Sequence, residues 1–258
     1  MFHKELPVGK KIYFASDFHL GAPNAEKSRE RELRIIRWLD NIKHDAEMIF
    51  LVGDLFDFWF EYKLVIPKGY VRFFGKLAEL SDAGIELVIF KGNHDMWMDD
   101  YFTKELNIKV FRESQQYVFN KKKFYVGHGD GLGPGDYAYK FLKRIFEGTI
   151  PKFLFGRVMH PNLGMFLGYA WASNSWKKHE KEDDVYHFES EDKEYLFQYC
   201  REVEAKEHHD FYVFGHRHHK FDLQVNSTSR YINLGDWVFF RSYGVFDGEN
   251  MELRVFEE

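Results

Sequence analysis

The segment FYVFGHRHHK, residues 211–220, sets His216, His218 and His219 directly after a run of apolar residues. Imidazoles at alternate positions project to one side of an extended chain, so a strand ending here offers His216 and His218 to one site and turns His219 away. The arrangement recurs upstream. KIYFASDFH delivers Asp17 and His19, MIFLVGD delivers Asp54, ELVIFKGNHD delivers Asn93, His94 and Asp95, and KFYVGHGD delivers His128. Asp17, His19, Asp54, Asn93, His128, His216 and His218 form an oxygen and nitrogen donor set without sulfur, which suits two adjacent divalent cations such as manganese, iron or zinc. Two such cations about 3.5–4 Å apart can grip a phosphoryl group and activate a water for in-line attack. A lone Asp-x-His or a lone Gly-Asp carries little weight; their succession, each just after an apolar run, carries a great deal. Gly53, Gly92, Gly127 and Gly215 each stand one position before a donor, where the backbone must turn sharply or approach closely.

The elements that deliver these donors follow from the hydrophobic pattern. Short apolar runs without clean alternation fit strands buried on both faces. Between the first two runs, EKSRERELRIIRWLDNIK places Ile35, Ile36, Leu39 and Ile42 on one helical face, and VRFFGKLAELSDAG predicts a second helix ending at Gly84. Strand–helix alternation over the first part of the chain predicts a largely parallel sheet, and FDLQVN, RYINLG, RSYGVFD and MELRVFEE predict a β-rich tail. An α/β sandwich with helices outside two packed sheets accommodates both halves, with the site beyond the C-terminal strand ends.

Composition narrows the setting. A chain of 258 residues with 45% hydrophobic and 30% charged residues supports a large soluble core, and 19% aromatic content is high. The lone Cys200 excludes a disulfide framework and a cysteine-based zinc site. The N-terminal residues lack the apolar core of a signal peptide, which predicts a cytoplasmic protein. A net charge of -5 disfavours nucleic acid as a partner, and nothing points to a protein partner. The charge is uneven: Tyr137 to Lys178 holds seven Lys or Arg against Glu147 alone. An acidic body thus carries a basic, aromatic-rich insert.

The series DFH, GDLFDFW, GNHD, GHGD and GHRH resembles the calcineurin-like metallophosphoesterases. That resemblance implies a four-layer αββα sandwich over residues 1–258, with a helical, aromatic-rich lid insertion at about 135–205. It also implies a dinuclear centre in which Asp17, His19, Asp54 and His218 hold one metal, and Asp54, Asn93, His128 and His216 hold the other, Asp54 bridging. His94 is then placed to donate to the transition state or to protonate the leaving oxygen, with Asp95 orienting it. GDLFDFW lacks the Arg that follows the corresponding Asp in protein Ser/Thr phosphatases. GDLFDFW and HGDGLGPGDYAYKFLKR are instead similar to the UDP-2,3-diacylglucosamine hydrolases of lipid A biosynthesis. Those enzymes cleave a pyrophosphate to UMP and an acylated sugar phosphate, usually with manganese. By the same resemblance Asn93, His94, Asp136, Asn174, Lys177 and His216 are substrate contacts. One departure stands at His94, where the best-known members carry Arg.

The insert gives the lipid reading its own footing. VMHPNLGMFLGYAWASNSW, residues 158–176, is apolar but interrupted by Pro161, glycines and amides, so it makes a poor membrane span and a better lid over acyl chains. Its flanking bases favour an anionic surface, which predicts peripheral association with the inner face of the cytoplasmic membrane. Two rivals are a soluble phosphodiesterase acting on another nucleotide or a phospholipid-like substrate, and a catalytically dead scaffold. The aromatic insert speaks against a small soluble substrate, and the filled donor set against the scaffold.

Overall fold

The computed structural model of the chain describes residues 1–135, 137–181, 190 and 193–257, with Ala138 and residues 173–181 described by their backbone alone. Strands β1 (Phe2–Lys4), β2 (Lys11–Ala15), β3 (Ala46–Val52), β4 (Glu86–Phe90), β5 (Lys109–Phe111), β6 (Gln115–Phe119) and β7 (Lys122–Val126) occupy the first half. The second half contributes β8 (Phe211–Phe214), β9 (Lys220–Gln224), β10 (Arg230–Leu234), β11 (Ser242–Phe246) and β12 (Met251–Val255). They form two mixed sheets, ordered β12-β11-β2-β3-β4-β5 and β1-β6-β7-β8-β10-β9. In the first sheet β2, β3, β4 and β5 run parallel, as the early strand–helix alternation predicts. In the second, β7, β8 and β10 run parallel.

Strand alternation divides the core into layers. Ile12, Phe14, Met48, Phe50 and Val52 point into the space between the sheets, where they meet Phe124, Val126, Val213 and Ile232. Their neighbours Tyr13, Ala15, Ile49 and Leu51 face the helices instead. Both sets are apolar, which is why these strands read as unbroken apolar runs. Helix α1 (Ala25–Ile42) begins where Asn24 Oδ1 accepts the Lys27 N–H, and it buries Ile35, Trp38, Leu39 and Ile42. Trp38 takes the place expected for Ile36, which is only half-buried. Helix α2 (Val71–Asp82) buries Phe73, Phe74, Leu77 and Leu80 on the same face of the sheet, beside the short α3 (Tyr101–Leu106).

The helical segment follows β7. It comprises α4 (Tyr137–Phe146), α5 (Thr149–Phe153), a π-helical turn at Leu154–Val158 and α6 (Pro161–Lys181). Its apolar contacts with the body run through Phe58, Phe60, Tyr62 and Trp97, which pack on Phe155, Met165, Tyr169 and Ala172. Helix α7 (Tyr195–Glu204) corrects the expected lid boundary near residue 205. Leu196, Phe197 and Cys200 on α7 bury against Tyr212, Phe214 and Tyr231 of the second sheet, so α7 is the outer layer of the body. Helices, sheet, sheet and helix thus stack in four layers. Among the described residues no helix is long and apolar enough to cross a membrane.

Candidate metal centre

Every loop that leaves β2, β3, β4, β7 and β8 at its C-terminal end enters the same small volume. Asp17 Oδ1 lies 3.7 Å from His19 Nε2 and 3.4 Å from His218 Nε2. Asp54 Oδ2 lies 3.9 Å from His19 Nε2 and 3.2 Å from His128 Nε2, so this carboxylate faces both halves of the cluster. Asn93 Oδ1 stands 3.3 Å from His128 Nε2, and the His216 ring is 5.2 Å from the His128 ring. Three sets of donors each fall within 4.8 Å: Asp17 with His19 and His218, His19 with Asp54 and His94, and Asp54 with His128 and His216. His219 turns out of the cluster and stacks on Phe221.

The backbone that achieves this is unusual. Asp17, His19, Asp54, His216 and His218 all have positive φ, between 44° and 68°, a conformation non-glycine residues rarely adopt. His216 and His218 therefore converge through left-handed turns after β8 ends, and not through strand alternation. Hydrogen bonds hold the turns: Asp17 N–H to Gly53 O at 3.0 Å, His19 N–H to Asp54 O at 2.9 Å, and Trp237 N–H to Asp17 O at 3.1 Å. Two glycines serve close approach more than turning. A Cβ on Gly92 would strike the Asp54 backbone nitrogen at 2.6 Å, and one on Gly215 would strike Ser16 and the Asp17 carboxylate.

A second ring of groups fixes the imidazoles. His128 Nδ1 donates to Val52 O at 2.8 Å and His94 Nδ1 to Asp57 O at 2.7 Å; carbonyls only accept, so Nε2 is the nitrogen each presents to the cluster. His218 Nδ1 meets Asp236 Oδ2 at 3.1 Å, and His19 Nδ1 faces Asp57 Oδ1 at 3.6 Å. Sequence reasoning missed Asp57 and Asp236. The signal was present: Asp57 is the second acid of GDLFD, and Asp236 ends an apolar run with another Gly-Asp. Asp95 does not orient His94, contrary to expectation. Its buried carboxylate accepts the Leu55 and Gly92 N–H groups, both at 2.7 Å, and so braces the two loops that carry Asp54 and Asn93. Asp136 lies outside the described residues, as do the side chains of Asn174 and Lys177.

Burial and crowding set the charge states. Burial alone lowers the basicity of His19, but the facing Asp17 and Asp57 carboxylates outweigh it and push the imidazole up to about 10. His128 follows the same logic with Asp54 and also reaches about 10. Burial and the neighbouring His128 push His216 down to about 3, which leaves it neutral. Burial, then the Asp54 charge, raises Asp95 to about 7. A cation between these donors fits the cluster. Asp17 Oδ1 is buried and accepts no hydrogen bond, and carboxylate–imidazole separations of 3.2–3.9 Å match paired donors each about 2.1 Å from one ion.

Comparison with known proteins agrees with the donor pattern. The calcineurin-like phosphoesterase family pattern matches residues 10–220. A UDP-2,3-diacylglucosamine hydrolase from Porphyromonas gingivalis is 38% identical over 96% of this chain and 98% of its own. Another UDP-2,3-diacylglucosamine hydrolase, from Vibrio atlanticus, is 24% identical over 95% of this chain and 96% of its own. Among solved structures, the phosphoesterase Yfce from E. coli covers 95% of this chain and 92% of its own, at 16% identity and a TM-score of 0.43.

Cation binding must displace protons here. His19 and His128 hold theirs below about pH 10, and a coordinating nitrogen must be bare. Loading the centre at neutral pH releases about two protons, and affinity climbs as the pH rises. Calorimetric titration with manganese in buffers of different ionisation enthalpy reads this directly. Heats independent of buffer, with flat affinity between about pH 6 and 9, would contradict it.

Proposed function

The chain belongs to the calcineurin-like phosphoesterases, and on that premise we propose that it hydrolyses the pyrophosphate of UDP-2,3-diacylglucosamine. The products are UMP and 2,3-diacylglucosamine 1-phosphate, a step of lipid A biosynthesis. The chain is a metal-dependent hydrolase. Asp17, His19, Asp54 and His218 would hold one cation and Asp54, Asn93, His128 and His216 the other, with manganese the first candidate. When bound, the pair supplies Lewis acidity toward phosphoryl oxygens and the attacking water.

The remaining steps fall to the chain. His94 is buried, and its Nδ1 proton is committed to the Asp57 carbonyl, which points Nε2 at the reaction volume. A proton taken up at Nε2 is donated to the phosphoryl group as negative charge gathers on its oxygens. Burial lowers the basicity of His94, partly offset by Asp54, so the imidazole holds that proton best when an anionic phosphate lies against it. A positioned imidazole thereby does by proton donation part of what an arginine at this position does by bidentate charge.

The observation that carries the substrate assignment is an apolar cavity of about 600 Å³ whose lining includes Trp171, a ring neighbour of His94. Met96 and Trp97, which follow His94 in the chain, line it together with Phe58, Phe155, Leu167 and Trp171, and the Trp171 ring lies 5.8 Å from the His94 ring. A phosphoester attacked at His94 thus has an apolar chamber within a few ångströms, suited to acyl chains and without purpose for a polar nucleotide alone. The lid reading of 137–181 supports a membrane-surface setting. Phe141, Ile145, Ile150, Phe153 and Phe166 are exposed on it beside Lys140, Arg144, Lys152 and Arg157.

The test compares UDP-2,3-diacylglucosamine, a UDP-sugar without acyl chains and a chromogenic phosphodiester in manganese and detergent. The acylated substrate releases UMP with kcat/KM on the order of 100-fold or more above the unacylated one. Gly168 lets α6 lie against the Phe58 ring, where a Cβ would collide. Gly168→Leu therefore abolishes the acyl advantage and spares the diester. Brisk turnover of the diester with none of the UDP-lipid would overturn the substrate assignment. His94→Ala lowers kcat by roughly 10²–10⁴ at unchanged cation affinity; an unchanged kcat would remove His94 from the chemistry.

A further inference from the structure

Asp130, two residues beyond His128, collects donors from separate parts of the chain. Arg112 grips its carboxylate with both Nη groups, at 3.0 and 2.8 Å. Tyr139 Oη donates to Oδ2 at 2.9 Å, and Lys143 Nζ lies 2.9 Å from the same oxygen while also donating to the Asp130 carbonyl at 2.8 Å. Tyr139 and Lys143 belong to α4. Arg112 reaches further: its Nη1 donates to Lys91 O at 3.0 Å, two residues before Asn93, and its Nε bonds Glu147 just beyond α4. The other end of α4 is tied to the same β4 loop, because Trp97 Nε1 donates to Phe146 O at 3.1 Å.

Beyond this network, Lys140 Nζ of α4 donates to Gly133 O and the Phe146 ring lies 6.0 Å from that of Trp97. None of its described side chains is buried, and Tyr137, Phe141, Leu142 and Ile145 are exposed. It is attached by a polar network, most of which ends on two loops, the one carrying Asn93 and His94 and the one carrying His128. We propose that Asp130 and Arg112 are positioning residues that couple the seating of α4 to the placement of His128 and Asn93. Bidentate charge-assisted bonds hold geometry more tightly than apolar contact, and a loop shift near 1 Å is costly to phosphoryl transfer. The proposal rests on the cluster being a phosphoester-hydrolysing centre and is independent of the lipid substrate.

Kinetics on a small chromogenic phosphodiester, which has no acyl chain to seat in the cavity, isolate the coupling. The manganese-loaded full chain carries Lys143→Met or Tyr139→Phe, with thermal midpoint and cation affinity measured alongside. Coupling lowers kcat for the diester about tenfold in the Lys143→Met variant at little change in KM, and Lys143→Arg restores most of it. Asp130→Asn gives the same loss, and Arg112→Lys, which keeps charge without the fork, fails to rescue. Diester kcat equal to the unsubstituted chain, with only the KM for UDP-2,3-diacylglucosamine raised, would overturn the proposal and leave α4 a substrate-binding element. A loss of kcat that follows the thermal midpoint would overturn it as well. Diester turnover by the unsubstituted chain is the control that separates this failure from failure of the hydrolase reading.

Discussion

Two fully buried carboxylates, Asp17 and Asp54, point at a common volume that also receives five imidazoles, and this crowding governs the rest of the molecule. Removing a carboxylate from water costs several kcal/mol even after relaxation, so the fold must return that energy locally. Part of the return is visible. Asp17 Oδ2 accepts the His216 N–H at 3.0 Å, and Asp54 Oδ1 accepts the His94 N–H at 2.9 Å. Of the other oxygens, Asp17 Oδ1 is turned to imidazole nitrogens at 3.4 and 3.7 Å, too long for good hydrogen bonds, and Asp54 Oδ2 faces His128 Nε2 at 3.2 Å and His19 Nε2 at 3.9 Å. Each carboxylate thus spends one oxygen on the backbone and presents the other to the centre, the division expected of cation ligands.

That division explains the backbone. Donors can converge from five strand ends only if the chain bends at once after each strand, and five of the donors take left-handed φ to do so. Each such residue costs on the order of 1 kcal/mol or more, a strain found where a site over-determines its geometry. The glycines contribute space, since the Gly92 and Gly215 backbones lie against Asp54 and Asp17 with no room for a Cβ. Stability and chemistry meet here: the sheets supply a rigid core, and the loops store strain against it.

Much of this architecture is legible in the sequence, for a physical reason. Strands buried on both faces leave unbroken apolar runs, and polar residues at their ends stand out because charged and imidazole groups seldom follow such runs without purpose. Asp17, His19, Asp54, Asn93, His128, His216 and His218 could be nominated that way. Supporting groups were harder to see. Asp57 and Asp236 act through a neighbour's imidazole, and Asp95 looks catalytic by adjacency while its carboxylate is spent on two backbone amides. Adjacency in sequence says little about which group a buried carboxylate meets in such tight loops. Helix α7 was misplaced because its buried face becomes visible only against β8 and β10.

The same centre joins two chemistries. On one side the cluster manages charge, and on the other the cavity lined by Trp97 and Trp171 manages apolar surface, with His94 at the boundary. Everything on the apolar side presupposes the charged side. Anomalous X-ray scattering from crystals grown with manganese tests that foundation most directly. Two peaks about 3.5–4 Å apart are expected, with Asp54 between them, Asp17, His19 and His218 around one, and Asn93, His128 and His216 around the other. A single peak, or density away from Asp54, would contradict it.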